Sequence, residues 1–509
     1  MTTSASNARR AIAALLSLIA TQSDFTAAGG TRPNIMSCLE DNKIEKSMPT
    51  TSTWEVDIEA WNSRLTPMPT VVVFPKTEAE VSAALLCAAG AGVKVTTLGG
   101  NRSFSSKGFG RDDGALVMNM KHFEHLKFDA TTNLLSFGGP VMTSQAVKYL
   151  WKEAKRTLPH GRCPTVGMTG VAAAGFGTTT RLRGTVLDNV ESVRIALANG
   201  SIVDADGTSN SDIFWAVRGA TSSMGVVLDF KIKTYETLSD RVTNYTIDFE
   251  KEYEPTIQDN VDLFLGTQTW ATSKDNSDLL SLRFSIRKSS DIRGFFYGSS
   301  ADAEKTLASL MKYLPKTVKL EMQDNDFWDS EEITTPGLTL DTPAPRRYFY
   351  ITSVTIPNDK PLKNDTAYSL FSNTAFASKL EDVTTSGFID IWGGSYTKTI
   401  KPDTTAWKHD NNLLLIRWDM RSTAANVSFA DSSVTTTREN FYKFVKVYKD
   451  SGGLPGGFLT YIDDLLSIVE VAYYMFFGNF KRLQAIKTKY DPNMLFNSDP
   501  QAIPALSVS

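Results

Sequence analysis

The apolar and polar positions of residues 70–100, TVVVFPKTEAEVSAALLCAAGAGVKVTTLGG, predict a strand, a helix and a second strand in that order. Apolar residues recur at helical spacing after Thr77, which can cap the helix, and Glu78 and Glu80 suit its first turn. Residues 188–206, DNVESVRIALANGSIVDAD, alternate as two strands that turn at Asn199-Gly200. Near residue 238 the pattern changes. From there to about 467 polar and apolar positions alternate, as in LLSLRFSIRK and NLLLIRWDMRS, with helical inserts. That alternation predicts a second lobe built on an antiparallel sheet. The tail, VAYYMFFGNFKRLQAIKTKYDPNMLF, predicts an amphipathic helix stopped at Asp-Pro, with an apolar face that docks on the first lobe.

Residues 1–30 are polar and Ala-rich and predict little order. Within them ARRAIAALLSLIA reads either as a secretory leader or as an amphipathic helix. No repeat and no low-complexity tract is present. The 509 residues suit about two to four domains or one large two-lobed enzyme. With 41% hydrophobic residues, 21% charged residues and a net charge of −3, the chain matches a globular protein with a full core. The balance excludes a basic nucleic-acid surface, and no apolar run reaches the roughly 18 to 20 residues of a membrane span.

Several chemistries are missing. GFGTTT at 175 and GFGRDDG at 108 both fail GxGxxG, so a nicotinamide Rossmann site is not expected. There is no GxxxxGK[ST] and no GxSxG. Four histidines and three cysteines lack HExxH or CxxC spacing, so no metal site is expected. What remains is glycine. GGNRSFSSKGFG spans 99–110, and LPHGRCPTVGMTGVAAAGFGTTTRLRG spans 158–184. Such loops let backbone pack against a flat ligand or cradle a phosphate.

Those loops, FWAVRGATSSMGVVLDF (214–230) and GNFKRLQAIKTKYDP (478–492) together resemble the FAD-linked oxidases of the vanillyl-alcohol-oxidase superfamily, berberine-bridge-enzyme-like branch. The pattern is similar to that of fungal oligosaccharide oxidases and covers roughly residues 34 to 505. The resemblance implies an α+β, two-lobed fold. A PCMH-type FAD-binding lobe would comprise residues 31–238 and 468–509, after a leader or disordered stretch at 1–30. A substrate-binding lobe on an antiparallel sheet backed by helices would comprise 239–467. It implies FAD held by Gly99, Gly100, Asn101, Arg102 and Ser103 at the pyrophosphate. Gly161, Cys163, Val166, Gly167, Gly170, Gly175 and Gly177 would lie along the isoalloxazine, with Gly225, Val227 and Asn479 as further contacts. It also implies a Cys38–Cys87 disulfide and a Cys163 bond to flavin C6.

Arg102 stands where bicovalent members carry the histidine that bonds the flavin 8α carbon. An arginine stays protonated and offers no free ring nitrogen, so FAD is expected on one covalent bond, through Cys163, or on none. Arg162 beside Cys163 adds positive charge, and the Arg102 fork could meet the pyrophosphate. Phe104 and Val171 likewise replace a tyrosine and a histidine common in the family. In GGFLTYIDDLL (456–466) Tyr461 aligns with the catalytic tyrosine, while Phe458 replaces another. In FIDIWGG (388–394) Asp390 aligns with its acidic partner. Oxidising an alcohol needs a base for the hydroxyl proton, and an unaided tyrosine, with a reference pKa near 10, is a weak one. A carboxylate in hydrogen-bond reach would take that proton onward.

The implied activity is oxidation of a hydroxyl on a carbohydrate or secondary metabolite, with hydride passing to flavin N5 and O2 reduced to H2O2. The alternative is a biosynthetic flavoenzyme that closes a ring, and a third reading is a flavin-free binding scaffold. The expected partners are a small-molecule substrate and molecular oxygen, for a chain acting as a monomer. Sequons at Asn101, Asn199, Asn244, Asn364 and Asn426, with the disulfide, fit a secreted glycoprotein. An intracellular enzyme of secondary metabolism is the alternative.

Overall fold

Val71, Val72 and Val73 are all fully buried, as a strand covered on both faces requires. The strand Val71–Val73 lies parallel to Leu116–Asn119, which also pairs in parallel with Val95–Leu98, while Lys46–Ser47 closes the sheet antiparallel. The structure, a computed structural model, describes residues 33–338, 345–424 and 427–506. The candidate leader and Asn426 lie outside the described residues. Helix Glu78–Ala91 begins where Thr77 Oγ1 accepts from the Glu80 N–H and ends at Gly92, whose φ is 70°. Cys38 and Cys87 form a disulfide across 49 residues, tying helix Ile35–Asp41 to it.

A five-stranded antiparallel sheet follows, in the spatial order Leu126–Asp129, Leu134–Phe137, Val226–Lys233, Val190–Ala196, Ile202–Asp206. The turn at Asn199-Gly200 is wider than a two-residue hairpin. The Leu197 N–H donates to the Ser201 carbonyl, and Asn199 Oδ1 accepts from Ser201. An Asx turn therefore replaces the tight one. Helix Ser211–Met224 breaks at Arg218–Ala220. Gly219 sits there at φ 142°, and a Cβ would lie 2.5 Å from the Trp407 nitrogen. Two distant segments meet at that break.

The alternating region forms a seven-stranded antiparallel sheet. Its order is Val318–Asp326, Arg241–Phe249, Asp291–Tyr297, Arg283–Ile286, Val383–Ile391, Asn412–Ser422, Phe349–Pro357. Helices Ile257–Thr272, Asn364–Asn373 and Asp431–Asp450 pack together against it, around a core that includes Phe264, Phe284 and Phe371. No helix among the described residues is long and apolar enough to cross a membrane.

The tail is not one helix, contrary to its pattern. A single turn, Ile468–Val471, runs into a π-helical turn, Ala472–Phe476, and the chain breaks at Phe477, with φ 42°. Helix Phe480–Tyr490 then docks on helix Ser211–Met224, and the segment after it reaches the first sheet. Buried Lys487 donates to the Ser223 carbonyl at 2.6 Å and pairs with Asp491, and the Val95 N–H donates to the Leu495 carbonyl. Burial pulls the Lys487 amine down to about 8, with Asp491 opposing.

One buried ion pair joins the second glycine loop to helix Phe327–Thr334. His160 Nε2 meets Glu331 Oε2 at 2.8 Å, both under a tenth exposed, and Nδ1 meets the Gly161 carbonyl. Burial works to lower the imidazolium, but Glu331 and the Gly161 carbonyl outweigh it, and the net shift is upward. A raised folded value gives stability that is full below the unfolded value of about 6.5 and fades as pH rises through the folded one. Urea unfolding of the wild-type chain should therefore show stability lost with rising pH in that window, and Glu331→Gln should flatten the loss. Glu331→Ala, which strands the buried imidazolium, should cost about 3–5 kcal/mol at low pH. Identical pH profiles for the wild type and Glu331→Gln would refute the assignment.

Candidate active site

The two glycine loops touch. A Cβ on Gly100 would lie 2.5 Å from the Gly167 Cα, and one on Gly167 would lie 2.8 Å from the Gly100 Cα. Only glycine permits that approach. Gly99 is similarly closed, 2.6 Å from Thr169 Oγ1, whereas Gly170 has nothing within 4 Å and Gly161 only the Phe176 carbonyl at 3.9 Å. Gly175, Gly177 and Gly225 are required by packing, against Val171, the His160 carbonyl and the Ala196 carbonyl. Asn101 takes φ 46° and donates to the Glu59 carbonyl. Ser103 Oγ accepts from the Lys107 N–H. The Val166 carbonyl accepts from the Thr143 N–H, and Val227 is paired with Ile195 in the five-stranded sheet. Asn479 donates to the carbonyls of Pro402, Thr405 and Ala406, so it lashes the tail to that segment. Val171 is buried in the turn Met168–Val171.

Loop contact delivers Arg102 to Cys163. One guanidinium N–H donates to Thr165 Oγ1 at 2.6 Å, another reaches Cys163 Sγ at 3.7 Å, and the plane lies 4.6 Å over the Trp61 ring. Cys163 is a free thiol, partly exposed. Burial holds the Arg102 guanidinium below its ordinary value, with Cys163 acting in the opposite direction. Arg102 thus sits at the thiol end of the cleft. Among the described residues its Nε has no partner.

Aromatic rings continue from there. Trp61 meets Phe104 at 5.5 Å, Phe104 stacks on Phe349 at 4.8 Å, and Phe104 lies 5.9 Å from Tyr461. Tyr461 ends the short turn Leu459–Tyr461, held by Ser353 Oγ donating to its carbonyl. Phe458, one position before the turn, is fully buried against Trp392 and Trp407. A hydroxyl there would have no obvious partner, which suits phenylalanine.

The sheet face opposite carries charge. Arg283 pairs with Asp390, and Phe388 with Arg417, as cross-strand neighbours, so alternation puts Phe388 and Asp390 on one face. Asp390 is almost wholly buried and grips Arg283 with both oxygens, each at 2.8 Å. Burial works against the Arg283 charge, but Asp390 more than restores it. Arg417 Nε donates to Asp419 at 2.9 Å, and its guanidinium lies 4.7 Å from the Tyr461 ring and 5.0 Å from that of Phe388. The structure therefore brings Tyr461 and Asp390 to one cleft, with the carboxylate committed to Arg283.

A small pocket opens beside the first loop, lined by Lys107, Gly219, Ser222, Ser223, Asp499 and Gln501 among others. Burial lowers the Lys107 amine, and Asp499 opposes. A cation, hydroxyls and a broken helix there fit a phosphate group. The open side of Gly170 and the orphaned Arg102 Nε fit the rest of a flavin dinucleotide. The residues present are therefore suited to FAD. Sequence reading missed Trp61, Lys107, Arg283, Phe349 and Arg417. The Arg-Trp-Asp alternation at 417–419 was the one signal available for an on-face ion pair. No cluster able to hold a metal occurs among the described residues.

Comparison with known proteins agrees with this geometry. A family model described as FAD binding domain matches residues 69–206, and one described as Berberine and berberine like matches residues 457–504. A glucooligosaccharide oxidase of Sarocladium strictum is 28% identical, over 92% of this chain and 94% of its own. A chitooligosaccharide oxidase of Gibberella zeae is 28% identical, over 93% and 94%. The solved xylooligosaccharide oxidase from Myceliophthora thermophila in complex with xylobiose superposes with a TM-score of 0.85 at 25% identity, covering 94% of this chain and all of that one. A glucooligosaccharide oxidase from Acremonium strictum, described with 6-S-cysteinyl, 8α-N1-histidyl FAD, gives 0.83 at 26% identity, over 94% and 100%. From its glycine loops to its tail, this chain is similar to the FAD-linked oxidases of the berberine-bridge-enzyme-like branch, with an FAD binding domain matched at 69–206 and a berberine-like segment at 457–504.

Proposed function

We propose that the cleft oxidises a hydroxyl group of a small carbohydrate, and that Tyr461 takes the hydroxyl proton. One observation carries this reading: an unbroken run of contacts leads from Tyr461 through Phe104 and Trp61 to Arg102 and Cys163, joining a base candidate to a flavin-attachment candidate. The carbohydrate class is supported by the names of the relatives. Bound FAD would supply a two-electron acceptor that O2 reoxidises with release of H2O2. In this reading residues 31–238 and 468–509 form the FAD-binding domain and residues 239–467 the substrate-binding domain. The chain acts as a secreted monomer, a setting that the Cys38–Cys87 disulfide favours.

The residues divide the work. Gly99, Gly100, Asn101 and Ser103 offer backbone to the pyrophosphate, with Lys107 beside them. Gly161, Val166, Gly167, Gly170, Gly175 and Gly177 line the ring, while Gly225, Val227 and Asn479 complete the cradle. The aromatic collar of Trp61, Phe104, Phe349 and Phe388 packs on the substrate and excludes water. As the base, Tyr461 accepts the proton on a phenolate oxygen and becomes neutral; Arg417, 4.7 Å from the ring, offsets the negative charge that the phenolate carries before the transfer. Asp390 acts through Arg283, fixing that cation against the Phe388 ring at 3.7 Å. It orients the site rather than taking the proton itself.

Purified protein should be yellow and should release peroxide on a panel of neutral oligosaccharides. With a substrate identified, Tyr461→Phe should cut turnover by about 100-fold or more, the usual scale for a lost general base, while the visible flavin spectrum stays. Unchanged turnover would reject Tyr461 as the base.

Attachment is open to a separate check. Cys163 keeps a free thiol in reach of a cation, but Arg102 cannot supply the nitrogen that the histidyl link needs. Acid precipitation and peptide mass analysis should find flavin on the Cys163 peptide alone, or released altogether. Flavin on any peptide from the 99–110 loop would overturn the assignment.

A further inference from the structure

The cleft holds more positive charge than its carboxylates balance. Asp390 is taken by Arg283 and Asp419 by Arg417. Arg102 also lacks a carboxylate and a partner for its Nε, but it is held by Thr165, Cys163 and the Trp61 face at the thiol end, where it is assigned to the flavin. That leaves Arg162. It sits between Gly161 and Cys163, its Nε is buried, and among the described residues that atom has no hydrogen-bond partner. A buried donor without an acceptor is costly unless something arrives to meet it. Burial, then Arg283, pulls the Arg162 guanidinium down to about 10, so it remains charged at neutral pH. The groups that act on it electrostatically are Arg283, Asp390, Tyr297 and Tyr461. Three belong to the seven-stranded sheet and the fourth is the base candidate. Arg162 therefore lies within electrostatic reach of the strands that carry Arg283 and Asp390 and of Tyr461, as well as of His160 and Tyr245.

We propose that Arg162 anchors an anionic group of the substrate, so that this site takes a hydroxylated compound bearing a carboxylate. The inference rests on the oxidase reading above and narrows its substrate class. A planar guanidinium matches a carboxylate with two parallel hydrogen bonds. One unpaired guanidinium balances one negative charge, which favours a carboxylate over a phosphate monoester with its charge of about −1.5 to −2. The aromatic collar accepts either a sugar face or an aromatic ring, so the carboxylate could belong to a uronic acid or to an aromatic hydroxy acid.

The test uses the holoenzyme and matched pairs of probes. One pair is D-glucuronate and D-glucose, and the other is para-(hydroxymethyl)benzoate and para-methylbenzyl alcohol. Binding is read by calorimetry and by perturbation of the flavin absorbance, and peroxide release is followed separately. In at least one pair the acid should bind about 10-fold or more tightly than its neutral twin, the scale of a charge-assisted hydrogen bond. Which pair responds identifies the source of the carboxylate. The preference should weaken with salt, vanish in Arg162→Met and survive in part in Arg162→Lys. The comparison of twins needs no variant, so it stands even if Arg162→Met does not fold.

Equal affinity within both pairs, no detectable binding of either acid, or a preference that persists in Arg162→Met would each overturn the proposal. So would tighter binding of glucose phosphate than of glucuronate. Peroxide from a neutral sugar without any preference for acids would leave the oxidase reading intact and remove this one. Preferential binding of an acid, with peroxide from no substrate, would do the reverse.

Discussion

The contact between Gly100 and Gly167 is the constraint on which the site depends. Two backbone segments some 65 residues apart approach so closely that no side chain fits on either one. With that contact made, Arg102 lies against Thr165 and Cys163, and Trp61 closes over the guanidinium. A methyl group at either glycine would separate the loops and withdraw the cation from the thiol. The glycines at 175, 177 and 225 serve the same end further back, because each lets a turn or strand close on a backbone carbonyl or side chain behind it.

Around this contact the chain joins elements that are remote in sequence. The tail helix locks on helix Ser211–Met224 through Lys487, whose buried ammonium is satisfied by a carbonyl and a carboxylate together. The break in that helix at Gly219 receives Trp407 from the loop that precedes strand Asn412–Ser422. His160 and Glu331 pair across the junction behind the second loop. Each link buries a charge or a polar backbone group with its partner, so each is worth little in excess but costly to break. These links act together with one apolar core that runs through the five-stranded sheet, the seven-stranded sheet and the tail helix.

Much of this was legible from short-range pattern. The cap at Thr77, the apolar strand at 71–73 and the alternating strands at 283–286 and 412–422 follow from local chemistry and form as expected. The glycine loops were readable because glycine at close spacing has few other uses. The break at Phe477 was not readable, since helical periodicity runs through it and only tertiary packing imposes the positive φ. The pairing of Asp390 with Arg283 was equally hidden. It depends on cross-strand register over more than 100 residues, and an isolated Asp in an apolar strand says nothing of its neighbour. Trp61 and Phe349 escaped for the same reason, as their role exists only where Phe104 lies between them.

Arg102 gains its meaning from the surrounding charges. A histidine would offer a nucleophilic nitrogen. Arginine offers a fixed cation that burial makes expensive, and the structure tolerates that cost beside a thiol and an indole face. The same economy recurs across the cleft, where Arg417 rests against Tyr461 and Arg283 against Phe388. Cations on aromatic faces, partly shielded from water, are preorganised for negative charge that appears only during reaction or binding. The guanidinium at 102 is therefore more than a packed side chain. It adds to a positive field that already spans the cleft from Cys163 to the strand bearing Asp390, and such a field selects what enters by its charge as well as its shape.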